Sequence, residues 1–317
     1  MPTDLLGQIH SSTAVTSSPW VDFRSEVTGM YLLSGQGGEW GAQHLIREYN
    51  RNIHSLYRSW TGSWPDATGL FLEPYNAGFS YQGTGNFGDL KWNLYSLAFD
   101  GIDDYARVNN TSDLDFGTDQ DFSIGLWFNT TANGGWGKEM IEKQCSGVFY
   151  QIRGPKSTNG KIRIQIDDDV AQTSLYSASG NLNDGNWHHV ICVRDYGNTL
   201  DMYVDGTLSN TTVDVTASVS NTGLFIIGVG GGADNILDNF FEGNIDEVGV
   251  WRRTLSASEI SGIYNSGTPQ SLASSSPVAW WRMGDGDTYP TLKDSSTNNY
   301  NGTMENMTAS DIVVNTP

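Results

Sequence analysis

From about Leu90 to about Trp251 the chain is dominated by short runs in which apolar and polar residues alternate. Phe122, Ile124, Leu126 and Phe128 share one face of a strand, with Ser123, Gly125 and Trp127 on the other, because successive side chains of an extended chain point to opposite sides. Ile162, Ile164 and Ile166 alternate with Lys161, Arg163 and Gln165, which predicts a strand with one buried and one wet face. Leu200, Met202 and Val204 repeat the pattern, and the Asp205-Gly206 that follows predicts a two-residue hairpin, since both positions accept positive φ. Further strand signals fall at 96–99, 104–108, 148–153, 187–194, 224–228 and 244–251. Many one-sided antiparallel strands at this spacing predict an all-β fold, a two-sheet antiparallel jelly-roll sandwich. One short helix interrupts them: Ser256-Ala257-Ser258-Glu259 is a capping box, Ile260 and Ile263 face inward, and Gly267 is placed to end it.

The first 90 residues read differently. Residues 1–39 show no sustained period and predict an extended arm. Between Glu39 and Trp60, Leu45, Tyr49, Ile53, Leu56 and Trp60 recur at spacings of four, four, three and four, predicting one amphipathic helix from about Ala42 to Ser59. Ser63 to Gly88 holds Pro65, Pro74 and the aromatics Phe71, Tyr75, Phe79, Tyr81 and Phe87, too broken for long elements and too aromatic for a solvated linker. The expectation is an anchoring and assembly arm over 1–90, burying Trp20, Phe23, Tyr31, Trp60 and Trp64 against a partner or sister subunits. The jelly roll then occupies 91–317.

Charge narrows the partners. Among 317 residues, 17 are basic and 36 acidic, a net charge of -19, so the chain repels a nucleic-acid backbone and an anionic membrane surface alike. No nucleic acid and no membrane insertion are expected. No basic residue precedes Arg24 and no apolar run forms a leader core, so no signal peptide is read. Cys145 and Cys192 could pair, but Cys192 sits in an apolar strand pattern where a thiol acts as a small hydrophobe, and free thiols are favoured.

Five separated motifs carry a resemblance: L-A-F-D-G-I-D-D-Y-A-R-V at 97–108, D-F-S-I-G-L-W-F at 121–128, N-W-H-H-V-I-C-V at 186–193, L-D-M-Y-V-D-G at 200–206 and G-N-I-D-E-V-G-V-W-R-R-T-L-S at 243–256. In this order, over about 94–268, they resemble the laminin-G-like, pentraxin-related branch of the concanavalin A-like lectin and glucanase jelly rolls. The resemblance implies two packed sheets and a non-catalytic module that binds glycans or proteins, often with calcium. Residues 278–306, with V-A-W-W-R-M-G-D-G-D and then L-K-D-S-S-T-N-N-Y-N-G-T-M, resemble the segment that normally opens such a domain, yet here they follow it. The chain therefore reads as circularly permuted, its opening strand returning from the C-terminus; the rival reading is a strand donated to a neighbouring subunit. The ending N-G-T-M-E-N-M-T-A-S-D-I-V resembles C-terminal tails of structural proteins from marine bacteriophages.

Candidate chemistry is sparse. Catalysis in this superfamily needs carboxylates aimed together from one strand, as in Glu-x-Asp-x-x-Glu, and no such run is present. Asp246-Glu247 and Glu242 lack the alternation, Asp167-Asp168-Asp169 reads as a solvated turn, and His188 and His189 read as packing residues of the W-H-H-V strand. No enzyme is expected. Two places compete for calcium, a hard cation that takes carboxylate and carbonyl oxygens. By resemblance, Gly230–Asn239 aligns with the pentraxin calcium loop and offers Asp234, Asn235, Asp238 and Asn239, although the Asp-Asn pair that pentraxins add falls near Cys145-Ser146 here. Asp100, Asp103, Asp104 and Asp246 could instead form a structural site, or all of these could be turn formers with solvated carboxylates. Trp136, Tyr150 and Tyr203 are the candidate stacking platforms for a sugar ring. The reading as a whole is a non-enzymatic virion structural protein of a bacteriophage (capsid decoration, head fibre or tail fibre) displaying a lectin-like jelly roll for glycan or host-surface binding. The alternative is a secreted or surface lectin of a bacterium.

Overall fold

The computed structural model describes residues 58–59, 70–72, 79–81, 93–132, 138–231 and 237–317. The chain divides into two compact units, Met1–Leu94 and Tyr95–Pro317. In the first, β1 (Arg58–Ser59), β2 (Leu70–Leu72) and β3 (Phe79–Tyr81) form a three-stranded antiparallel sheet. Arg58 and Ser59 pair with Leu72 and Phe71, so the helix expected over 42–59 does not reach its last two positions. There, extended pairing with a β-favouring Leu-Phe-Leu segment prevails over the local helical period. Residues 42–57, and Trp20, Phe23, Tyr31, Trp60 and Trp64 with them, lie outside the described residues.

The second unit is the sandwich. Its strands are β4 (Ser96–Asp100), β5 (Tyr105–Val108), β6 (Phe122–Asn129), β7 (Glu139–Cys145), β8 (Val148–Arg153), β9 (Arg163–Asp168), β10 (Gln172–Tyr176), β11 (Trp187–Asp195), β12 (Thr199–Val204), β13 (Thr207–Val213), β14 (Phe225–Ile227), β15 (Glu242–Trp251), β16 (Ala279–Trp281), β17 (Thr291–Leu292), β18 (Gly302–Glu305) and β19 (Ile312–Val313). One sheet runs β10-β9-β8-β7-β14-β5-β18-β17; the other runs β13-β12-β11-β6-β15-β4-β19, with β16 also paired to β15. All the pairings are antiparallel. The core lies between the sheets and takes Phe122, Ile124, Leu126 and Phe128 from β6, Ile164 and Ile166 from β9, and Leu200 and Met202 from β12, the faces that alternation assigned to it. Asp205 and Gly206 turn β12 into β13 with φ of 49° and 75°.

The C-terminal segment belongs to this core. Trp281 pairs with Val248 and Ala279 with Val250. Trp281 is fully buried, stacks on Phe225 at 5.1 Å, and donates its indole N–H to Tyr300 O at 2.9 Å. Met283, Leu292, Met304 and Met307 fill the core beside it, so these strands complete their own chain's sheets rather than a neighbour's.

The outer faces differ. On the second sheet Tyr264, at the end of α1 (Ala257–Tyr264), stacks on Trp127 at 5.5 Å, and His189 lies 4.8 Å from the same ring. The Ser256–Glu259 capping box is formed and Ile260 and Ile263 are buried. The helix ends earlier than Gly267, at Asn265 in the left-handed region (φ 43°), a conformation that Asn tolerates through its short polar side chain. Both cysteines are free thiols.

Candidate functional site

The outer face of the first sheet carries polar side chains in register. Because Ile141, Ile152, Ile164 and Leu175 point into the core along one row, the residues that alternate with them point outward. One outward row is Arg107, Ile226, Glu142, Gln151, Gln165 and Ser174, and a second is Glu139, Arg153, Arg163 and Tyr176. Glu139 and Glu142 are three residues apart, which in a regular strand would put them on opposite faces. A register shift between Glu139 and Ile141 returns both to the outer face.

Within these rows the amide of Gln151 donates to Gln165 Oε1 at 3.0 Å. Arg153 pairs with Glu139 Oε1, and Glu142 Oε1 accepts the Gly231 N–H at 3.0 Å. Burial pushes Glu139 up to about 7, with Arg153 opposing and Glu142 adding to the shift. The guanidinium of Arg163 lies 5.9 Å from the ring centroid of Tyr176, which stands 36% exposed on the sheet edge. Glu142, Gln151 and Gln165 are themselves buried, at 2, 4 and 7% exposure, so the groups a ligand can reach are half-buried Arg163 and exposed Tyr176, with the carboxamides hydrogen-bonded beside them.

The second constellation is the turn after β4. Asp100, Asp103 and Asp104 bring carboxylate oxygens within 4.8 Å of one another. Asp100 Oδ1 accepts the N–H groups of Ile102, Asp103 and Asp104 at 2.8, 3.2 and 3.4 Å, and Asp104 Oδ2 accepts that of Asp100 at 3.1 Å. Burial, with repulsion from Asp100, pushes Asp104 up to about 6. Three oxygen donors at this spacing suit a hard cation, and two of them already hold the turn.

Asp246 does not join that group. It is fully buried in β15, four residues beyond Glu242, the partner of Asp100, hence about 13 Å along the strand at the usual rise. Its Oδ1 accepts the N–H of Glu247. Asp238 and Asn239 lie beside the start of β7: Gly230 and Asp238 form a bridge, and Asn239 O accepts the Glu139 N–H at 3.2 Å. Asp234, Asn235 and Trp136 lie outside the described residues. Tyr150 is a correction: it is 1% exposed among Phe116, Phe122 and Phe225, its hydroxyl donating to Leu114 O at 2.8 Å, so it packs the core and offers no platform. Tyr203 is half-buried on β12, in the other sheet. Alternation missed Glu139 and Glu142, since a bulge has no signal in period two. The structure thus brings two carboxyl groups, Glu139 and Glu142, to one face without a Glu-x-Asp-x-x-Glu run.

A family model described as the concanavalin A-like lectin/glucanases superfamily matches residues 100–261. No curated protein matches the sequence. Among solved structures, a protein of Bacteroides ovatus assigned to carbohydrate binding is similar at 16% identity and a TM-score of 0.53, over 87% of this chain and 88% of that one. The heptameric SAP-like pentraxin of Limulus polyphemus gives 14% identity and a TM-score of 0.44 over 56% of this chain and 86% of its own. Domains LG4-5 of the mouse laminin alpha1 chain give 16% identity and 0.41 over 52% of this chain and 44% of theirs. At these identities the likeness is one of fold.

Proposed function

The chain belongs to the concanavalin A-like lectin/glucanases superfamily, and from that membership we propose that its sandwich is a non-catalytic module that binds glycans on the outer face of the first sheet. The observation that carries this is Arg163 and exposed Tyr176 side by side at the sheet edge, with the buried polar row Glu142–Gln151–Gln165 next to them. Glu139 and Glu142 serve as hydrogen-bond partners there, because Glu139 is already held by Arg153 and Glu142 by Gly231. The test is a panel of polysaccharides scored both for binding and for release of reducing ends. Binding that weakens at least tenfold in Tyr176→Ala, without hydrolysis, is the expected result. Release of reducing ends that Glu139→Gln abolishes would overturn the non-catalytic part.

The proposed setting is the virion surface of a bacteriophage, with residues 1–90 as the arm that meets capsid or tail proteins and sister subunits. The likeness of residues 301–313 to phage structural tails and the exterior role of the fold support this setting. Mass spectrometry of purified particles from the source tests it, and a bacterial surface lectin would be found with cells instead.

Calcium is proposed at Asp100, Asp103 and Asp104. Asp104 has its folded pKa raised from 3.8 to about 6, so the native state takes up protons in that window and stability falls as pH rises through it. A cation that offsets the repulsion acts fully only above pH 6. Millimolar calcium should therefore raise the melting temperature by several degrees at pH 7.5 and by much less at pH 5, and Asp103→Asn should reduce the gain. Equal melting curves with calcium and with EDTA at pH 7.5 would return the three aspartates to turn formation.

A further inference from the structure

Arg163 is anomalous in this chain. Tyr95–Pro317 contains seven arginines, and six of them meet a carboxylate or a carbonyl: Arg107 with Glu305, Arg153 with Glu139, Arg194 with Asp214, Arg253 with Glu259, Arg282 with Glu247, and Arg252 with Ser112 O and Asp115 O. Among the described residues Arg163 meets none of these, although acidic residues outnumber basic ones by 36 to 17 in the chain. It stands instead directly across from another cation, Arg153, on the adjacent strand, an arrangement that costs stability in a sheet. The Nε of each of these two arginines is buried and has no hydrogen-bond partner. The carboxylates nearby are committed elsewhere: Glu139 to Arg153, Glu142 to the Gly231 N–H, and Asp167, four residues along β9, to the Asp169 N–H and the Gln172 amide.

The geometry points to a subsite for an anionic sugar, in which Arg163, backed by Arg153, takes a carboxylate or sulfate while Tyr176 takes the sugar ring. This rests on the glycan reading of the same face and names the class of glycan. A guanidinium presents parallel N–H groups that match a carboxylate or sulfate in bidentate fashion, and the ligand's acidic group would give Arg163 the anionic partner that Arg153 already has in Glu139. Tyr176 is cross-strand to Arg163 and exposed on the edge strand, so a ring can lie against it while its acidic group reaches inward.

The test uses the full chain and three probes: an oligomer of galacturonic acid, the same oligomer as its methyl ester, and a sulfated galactose oligomer. Titration calorimetry should show the acid binding at least about tenfold more tightly than the ester, with affinity falling as salt is raised. Arg163→Gln should bring the affinities for acid and ester together, whatever affinity it leaves for the ester, and Arg163→Lys should restore the preference only in part; melting curves establish that both variants are folded. Preference for the sulfated oligomer over the uronic acid, also lost in Arg163→Gln, assigns the anion as sulfate. Acid and ester binding alike, or an acid preference that survives Arg163→Gln, overturns the subsite and leaves the glycan reading standing. Failure of the three probes together with the whole neutral panel overturns the glycan reading itself.

Discussion

A chain ending at Ser274 should not fold to a soluble sandwich. The deletion removes β16, β17, β18 and β19 together, and with them Trp281, Met283, Leu292, Met304 and Met307, all buried in the core. Loss of one buried Trp costs about 3–5 kcal/mol and of a buried Met or Leu about 2–5 kcal/mol, so the sum exceeds the roughly 5–15 kcal/mol by which a domain is stable. It also bares the edge of β5 at Tyr105–Val108, where β18 now pairs, and that of β15 at Val248–Val250, where β16 pairs. An unpaired apolar edge recruits other chains, so the expected product is aggregate. Trp281→Ala alone should lower stability by about 3–5 kcal/mol in urea titration. A truncated chain that melts within a few degrees of the intact one would show that the C-terminal strands are an accessory and not part of the core.

Which parts of this fold could be read in advance follows from how each strand is buried. Period two marks the core face of β6, β9 and β12, and on β9 it puts Arg163 and Gln165 on the opposite face; the expectation that this face is wet fails at Gln165, which is 7% exposed, and the far face of β6 is buried at Ser123 and Trp127. Half of the proposed site was legible for that reason. The other half sits on β7, where Glu139, Glu142 and Lys143 interrupt any apolar pattern although all are buried. Lys143 faces inward because Asp115 and the carbonyl and side chain of Asn221 receive its ammonium group, partners 28 and 78 residues away that no local pattern shows. Tyr150 was misplaced for a related reason: in Phe149-Tyr150-Gln151-Ile152 alternation puts one aromatic in and one out, and the core's need at Leu114 O decided which. Helix α1 was legible because its capping box is local, whereas its C-terminal end, set by a left-handed Asn265, was not.

Replacing Arg194 by Met should destabilise the sandwich by about 3–5 kcal/mol at neutral pH, since removing one partner of a buried ion pair leaves the other charge uncompensated. Arg194 and Asp214 are both fully buried at the side chain and meet at 2.7 Å. The guanidinium also donates to Thr216 O at 2.8 Å and Ala217 O at 2.6 Å, and lies 4.9 Å from the Tyr196 ring centroid, so it ties the 214–217 segment to β11. Burial works to raise the Asp214 pKa, but hydrogen bonds from Thr216 and Arg194 overcome it and hold the carboxyl below its ordinary range. A carboxylate depressed in the folded state contributes stability above its unfolded pKa of 3.8 and loses it as pH falls through the lower folded value. In the variant the arginine's share of that depression is gone and burial remains, so the Asp214 pKa moves upward and protonation at low pH relieves the buried charge. The gap between wild type and Arg194→Met should accordingly be widest near pH 7 and narrow towards pH 3, measured by urea unfolding across that range. A gap that stays constant with pH would mean that Arg194 stabilises by packing on Tyr196 and Phe122 rather than through the charge of Asp214.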